Sequence, residues 1–221
     1  MTGLPAALAG HPIVPVVVID DPARAADLAH ALVVGGISTA EFTLRTPAAL
    51  DAIRAAAEVP GFVAGVGTVL DRDALVRARD AGARYAVSPG LDDEVLDAAD
   101  ELGVPLVPGV ATATEVQRAL RRGLDHLKLF PAGPLGGPAH LDTLAGPFPG
   151  VRFLPSGGVR AADLAAYLSC ASVFAVSGSW MVSRDAIARG AFDEISDASR
   201  AASTAAADAL AARAAAAGVR P

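Results

Sequence analysis

A single lysine, Lys128, stands in the run His126-Leu127-Lys128-Leu129-Phe130-Pro131, flanked by two leucines and close to a phenylalanine. Of the 18 lysine and arginine residues in the chain, the other 17 are arginine. That bias has a chemical meaning. Arginine stays protonated and is no nucleophile, whereas a lysine stripped of water by apolar neighbours becomes a free amine near neutral pH and attacks carbonyl carbons. The plainer alternative is a strand-end lysine that carries its ammonium out to water.

Other groups could act with that amine. Glu41, Thr43 and Arg45 alternate with Phe42 and Leu44, so in an extended chain the carboxyl, hydroxyl and guanidinium share one face. The carboxyl can move protons, and the guanidinium can fork onto a substrate carboxylate. Thr68 adds a hydroxyl after Gly65-Val66-Gly67. The turns Ser156-Gly157-Gly158 and Ser177-Gly178-Ser179 offer backbone N–H groups and hydroxyls that can cradle an anion without a basic patch. Tight turns favour the same residues for conformational reasons alone, and a Glu41–Lys128 pair could equally be a buried ion pair without chemistry.

Residues so far apart in sequence need a repetitive scaffold to bring them together, and the chain spells one out. The β-branched run 14–19 leads through Asp20-Asp21-Pro22, a capping pair with a helix-starting proline, into helical spacing over 23–34 that ends at Gly35-Gly36. The same pattern then predicts strands at 39–44, 62–66, 85–87, 105–107, 126–130, 152–154 and 172–176. Helices are expected at 48–58, 71–81, 92–102, 114–122 and 161–168, with Gly82, Gly103 and Gly123 closing three of them. Pro108-Gly109 reads as a turn and 131–144 as an irregular return.

Eight strands, each with a helix or return segment, predict a single-domain (β/α)8 TIM barrel over residues 1–221, with a lead-in at 1–13 and an alanine-rich helical tail at 191–221 that frays from 218. An open doubly wound sheet is the rival, but its Gly-x-Gly-x-x-Gly turn does not follow the first strand. In a barrel, alternation turns His126, Lys128 and Phe130 inward, near the C-terminal strand ends where Glu41 and Arg45 also lie. The two glycine turns then follow strands seven and eight, a common phosphate site of such barrels.

Bulk composition narrows the partners. Hydrophobic residues make up 52% and aromatics 5%, so the interior is built from Ala, Val and Leu rather than rings. A net charge of −6 argues against nucleic acid or an anionic membrane as partner, since both demand a basic surface. Mean hydropathy is +0.43, yet Pro, Gly or charge interrupts every apolar run short of the roughly 20 residues a spanning helix needs. One cysteine, Cys170, and no basic residue ahead of Arg24 point to a reducing cytoplasm. The four histidines show no ligand spacing, so neither metal nor other cofactor is expected.

Taken as a set, Glu41-Phe42-Thr43-Leu44-Arg45-Thr46, Gly65-Val66-Gly67-Thr68-Val69-Leu70, Ser88-Pro89-Gly90, Pro108-Gly109-Val110, Lys128-Leu129-Phe130-Pro131-Ala132, Ser156-Gly157-Gly158-Val159 and Gly178-Ser179-Trp180 resemble the 2-keto-3-deoxy-6-phosphogluconate aldolase family, also called 4-hydroxy-2-oxoglutarate aldolases. The resemblance spans about 14–181. It implies a metal-free homotrimer that cleaves a phosphorylated 2-keto-3-deoxy sugar acid to pyruvate and glyceraldehyde 3-phosphate. By position, Lys128 would form the Schiff base and Glu41 would be the general acid/base. Arg45 and Thr68 would hold the pyruvate carboxylate, Phe130 would pack on its methyl end, and Pro89 and Ser156 would complete the substrate pocket. Gly157, Gly158, Ser177, Gly178 and Ser179 would form the phosphate site. Three positions depart from the commonest pattern: Phe42 replaces a smaller aliphatic residue, Ser156 a threonine and Ser177 a glycine.

Read from the residues alone, a phosphate-binding isomerase or epimerase with Glu41 as base and Lys128 as electrostatic partner is a second possibility, and a sugar-phosphate binding protein a third. The galactonate epimer or an unphosphorylated 4-hydroxy-2-oxo acid are alternative substrates.

Overall fold

Side-chain caps set the helix starts. Asp71, Asp92 and Ser183 each accept a hydrogen bond from the backbone N–H three residues on, at 2.7, 3.0 and 3.1 Å. Thr112 and Glu115 form a reciprocal capping box. The computed structural model describes residues 5–218. In chain order the strands and helices are β1 (Ile13–Val17), α1 (Ala25–Val34), β2 (Thr39–Thr43), α2 (Ala49–Ala57), β3 (Val63–Gly67), α3 (Arg72–Asp80), β4 (Ala86–Val87), α4 (Asp93–Leu102), β5 (Leu106–Val107), β6 (Gly109–Val110), α5 (Ala113–Arg121), β7 (His126–Leu129), α6 (Gly137–Ala145), β8 (Arg152–Pro155), α7 (Leu164–Ser169), β9 (Val176–Gly178), α8 (Arg184–Arg189) and α9 (Phe192–Gly218).

The strands make two curled parallel sheets, β5-β4-β3-β2-β1-β9 and β6-β7-β8. The single closed ladder expected from the sequence is therefore interrupted at two seams. At the first, β5 pairs with β4 and β6 pairs with β7, while Pro108 between them has no N–H to give either ladder. Pro108-Gly109, expected as a turn, is thus extended chain passing from one sheet to the other. At the second seam an isolated parallel bridge joins Phe153 to Val173. Phe153 N–H donates to Ser172 O at 2.7 Å and Phe174 N–H to Phe153 O at 3.1 Å, after which the chain changes partner and β9 pairs with β1.

One further segment differs from expectation, while the helical tail is as expected. The return at 131–144 contains α6, because Pro138 sits in the first helical turn, where its missing N–H is harmless, and Leu141 and Leu144 are buried. The alanine-rich tail is one helix, α9, whose Ser203 hydroxyl donates to Gly35 O at 3.0 Å. Arg213 of α9 donates to three carbonyls, those of Leu168, Cys170 and Val173, at 2.9 to 3.1 Å, and so ties down the end of α7. Gly218, where fraying was expected to begin, closes α9; the rest of that stretch, 219–221, like residues 1–4 of the lead-in, lies outside the described residues.

Apolar burial follows the two faces of the strands. The larger cluster lies between sheet and helices and includes Phe42, Leu127 and Leu129. A smaller one fills the concave side with Leu8, Val14, Tyr85, Val87, Val107, Leu154 and Ala175, so the lead-in plugs this face through Leu8. No helix among the described residues is long and apolar enough to cross a membrane.

Candidate active site

Strand alternation positions the central pair. In β2 the Phe42 ring turns to the helices, edge-on to Phe62 at 6.5 Å between centroids, which sends Glu41 and Thr43 to the concave face. In β7 the buried Leu127 and Leu129 likewise turn outward and Lys128 inward. Lys128 Nζ donates to both carboxylate oxygens of Glu41, to Oε1 at 3.2 Å and to Oε2 at 3.4 Å. Glu41 is 0% exposed and Lys128 6%, so this is a buried pair and not a surface ion pair. Nζ also lies 5.4 Å from the centroid of the Phe130 ring.

Above the pair opens a cavity of about 340 Å³. Lys128 and Arg45 are the two cations on its wall, with Thr68, Pro89, Phe130 and Ser156 around them and Gly157, Gly158, Gly178 and Ser179 at the glycine turns. Glu41 sits behind Lys128 instead of on the wall. Arg45 is exposed at the rim and makes no ion pair with the other described residues, which leaves its guanidinium free for an incoming carboxylate. Thr43 also lines the cavity, but its hydroxyl donates to Val17 O at 2.9 Å.

Ser177 does not join Gly157, Gly158, Gly178 and Ser179 on the cavity wall. It was expected in a turn, but the eighth strand changes partner after its bridge to Phe153, and Ser177 falls inside β9, paired with Val14 of β1. Its side chain is 0% exposed, and its hydroxyl donates to Glu41 Oε1 at 3.0 Å. It therefore lies beside the Glu41–Lys128 pair and away from the cavity wall.

Two glycines make room for these groups in ways that motif reading missed. A Cβ on Gly67 would lie 2.6 Å from Glu41 Oε2, and one on Gly178 would lie 2.0 Å from a ring carbon of Trp180. Thr68, next to Gly67, holds φ at 61°, a left-handed conformation that a β-branched residue adopts only where its surroundings enforce it. Deeper on the concave face, the buried Thr39 hydroxyl donates to Val63 O at 2.8 Å and so accepts from the Tyr85 hydroxyl at 3.0 Å. Burial above all pushes the Tyr85 phenol far up, and it stays protonated. Among the described residues no cluster of His, Cys, Asp and Glu could hold a metal ion.

Known proteins share this arrangement of elements. The KHG/KDPG aldolase of Escherichia coli strain K12 is 45% identical over 190 residues, which is 86% of this chain and 89% of that protein. The structure of the KDPG aldolase from Legionella pneumophila, with pyruvate captured at low pH as a covalent carbinolamine intermediate, superposes with a TM-score of 0.86 at 38% identity, covering 90% of this chain and 98% of the other. That of the 2-keto-3-deoxy-6-phosphogluconate aldolase of Zymomonas mobilis ZM4 with 3-phosphoglycerate gives a TM-score of 0.83 at 40% identity, covering 90% and 93%. The model of the KDPG and KHG aldolases matches residues 5–198. With its lone lysine beside a buried carboxylate at the C-terminal ends of parallel strands, this chain belongs to the KDPG and KHG aldolase family.

Proposed function

We propose that this aldolase, a carbon–carbon lyase, cleaves 2-dehydro-3-deoxy-6-phosphogluconate to pyruvate and D-glyceraldehyde 3-phosphate through a Schiff base on Lys128. The observation that carries the reading is the Lys128 amine on a cavity wall with the buried Glu41 carboxylate 3.2 Å behind it. Nζ attacks the C2 carbonyl carbon, water leaves, and a protonated iminium results. Glu41 takes the C4 hydroxyl proton, the C3–C4 electron pair moves into the iminium, and the aldehyde departs. The enamine left behind takes a proton at C3, and water releases pyruvate and restores the amine. Arg45 and Thr68 would align the substrate by its C1 carboxylate, and Phe130 would pack on the methyl end of bound pyruvate. Pro89 and Ser156 would close the sides of the pocket.

Gly157, Gly158, Gly178 and Ser179 would receive the phosphate through backbone N–H groups and a hydroxyl. The same cradle suits a second carboxylate, and the E. coli relative is named for both substrates, which supports 4-hydroxy-2-oxoglutarate as a second reading. Reduction with borohydride in the presence of pyruvate, followed by peptide mass spectrometry, tests the mechanism. A reduced adduct on Lys128 is expected; its absence overturns the reading. Pyruvate release, followed with lactate dehydrogenase, compares the two substrates and the galactonate epimer by kcat/KM.

The same reading extends to the whole chain. The extended passage through Pro108 and the Phe153–Val173 bridge support reading the two sheets as one eight-stranded barrel in a single domain. The resemblance supports a homotrimeric state, and the single cysteine supports a cytoplasmic location. Sedimentation equilibrium at any mass other than three chains overturns the former.

A further inference from the structure

We propose that Ser177 is a positioning residue for catalysis: its hydroxyl pins Oε1 of Glu41 and so assigns proton transfer to Oε2. The inference rests on the aldolase reading of Glu41. Oε1 accepts from Ser177 Oγ at 3.0 Å and from Lys128 Nζ at 3.2 Å, whereas Oε2 accepts one longer bond, from Nζ at 3.4 Å, and is backed by the bare Cα of Gly67. Oε2 is therefore the less committed oxygen.

The two donors to Oε1 differ in how long they last. A lysine ammonium carries three protons, but the protonated iminium it becomes carries one, and its nitrogen is then bonded to substrate carbon. The charge-assisted contact from Nζ is weakened when Glu41 must act. Ser177 is not altered by the chemistry. Its backbone is fixed by the ladder to Val14, its side chain is fully buried, and a single rotor places the hydroxyl. The donor that holds the carboxylate through the covalent stages is thus Ser177.

Ser177→Ala is the test, with Ser177→Gly as the second hydroxyl-free variant in case a methyl disturbs packing. Circular dichroism melts establish that each is folded. Losing one hydrogen bond to a charged group is expected to lower kcat about tenfold and to leave KM within about twofold. Exchange of pyruvate methyl protons for deuterium slows by the same factor, while borohydride trapping on Lys128 reaches its wild-type extent. In a Glu41→Gln background, Ser177→Ala gives no further loss, since it acts through the missing carboxylate.

Three results overturn the proposal: kcat within twofold of wild type in both variants, a rise in KM at constant kcat, or full additivity with Glu41→Gln. Failure of wild-type protein to trap pyruvate on Lys128 refutes instead the aldolase reading beneath it. A wild type that traps, with Ser177 variants that turn over normally, refutes the role of Ser177 alone.

Discussion

Gly67→Ala adds one methyl group behind the Glu41–Lys128 pair and, on the proposed mechanism, should disable it. The new Cβ would lie 2.6 Å from Glu41 Oε2 and 3.2 Å from both Glu41 Cδ and Thr43 Cγ2. Ordinary contact begins near 3.4 Å, so the carboxylate must retreat by about 0.8 Å. A long exposed side chain would simply swing away, but Glu41 is fully buried, and Oε1 is held by Ser177 at 3.0 Å and Lys128 at 3.2 Å. Moving it by that amount stretches one or both bonds beyond useful length. Overpacking of this kind costs about 1–3 kcal/mol, or a fall in Tm of about 2–12 °C for a chain of this size. Turnover should suffer more, by about 10²-fold, because a misplacement near 1 Å is enough to lose the reacting alignment. The lactate dehydrogenase coupled assay reads kcat, and Gly150→Ala, where nothing lies within 4 Å of the added methyl, is the control expected to match wild type. A folded Gly67→Ala protein with turnover within twofold of wild type would refute the reasoning, since Glu41 would then tolerate displacement from the geometry described.

Lys128→Arg keeps a cation beside Glu41 but removes the nucleophile; the protein should fold and lose turnover by at least about 10³-fold, and measurable pyruvate release at the wild-type rate contradicts a Schiff base. At Glu115, burial works against ionisation, but hydrogen bonds from Ala111 and Thr112 outweigh it and hold the carboxyl below its usual range. A carboxyl with a depressed folded-state value stabilises above its unfolded value near 4.3 and loses that contribution as pH falls through the folded value. Glu115→Gln should therefore cost about 1 kcal/mol at pH 7, with the gap to wild type closing below about pH 4; urea midpoints that differ equally at pH 3 and pH 7 count against it. The Cys170 thiol is pushed up to about 11, chiefly by burial and then by Asp142. Iodoacetamide at pH 8 should leave it unmodified until the protein unfolds, and rapid alkylation of the native chain speaks against that burial.

The Glu41–Lys128 pairing is legible in the amino-acid sequence because it depends on a local rule. Alternation within β2 and β7 sets which way Glu41 and Lys128 point, and both strands are buried on both faces, so the rule has no exceptions there. Ser177 is misread from sequence because its position depends on pairing between distant strands. A run of small and apolar residues from 172 to 178 gives no sign of where it will leave β8 and join β1, and shifting the strand by two residues turns an expected turn serine into a ladder serine. Pro108 misleads for the opposite reason. Pro-Gly is a strong turn signal, yet an extended chain at a seam between two ladders has no use for the missing N–H. Close approach is the feature that sequence carries least. Gly67 in Gly65-Val66-Gly67-Thr68 reads as loop chemistry, whereas its function is to leave space for an oxygen contributed by the neighbouring strand.

These observations explain how a costly arrangement persists in an otherwise apolar interior. Burying an ammonium and a carboxylate together seldom stabilises a fold, and replacing both by apolar groups is often neutral or better. Here the carboxylate is compensated from three directions: Lys128 and Ser177 donate to it, and Gly67 gives it room. The strain is concentrated next door at Thr68, whose left-handed backbone is held between Gly67, the last residue of β3, and the buried Val69. The surrounding helices, caps and the long α9 pinned by Arg213 carry no chemistry and supply the stability that the site consumes. It follows that Glu41→Gln paired with Lys128→Met should unfold at higher denaturant than either single variant while being inactive. If the double variant were instead the least stable of the three, the ion pair would be holding the fold together, and the separation between a stabilising shell and a strained, functional centre would fail.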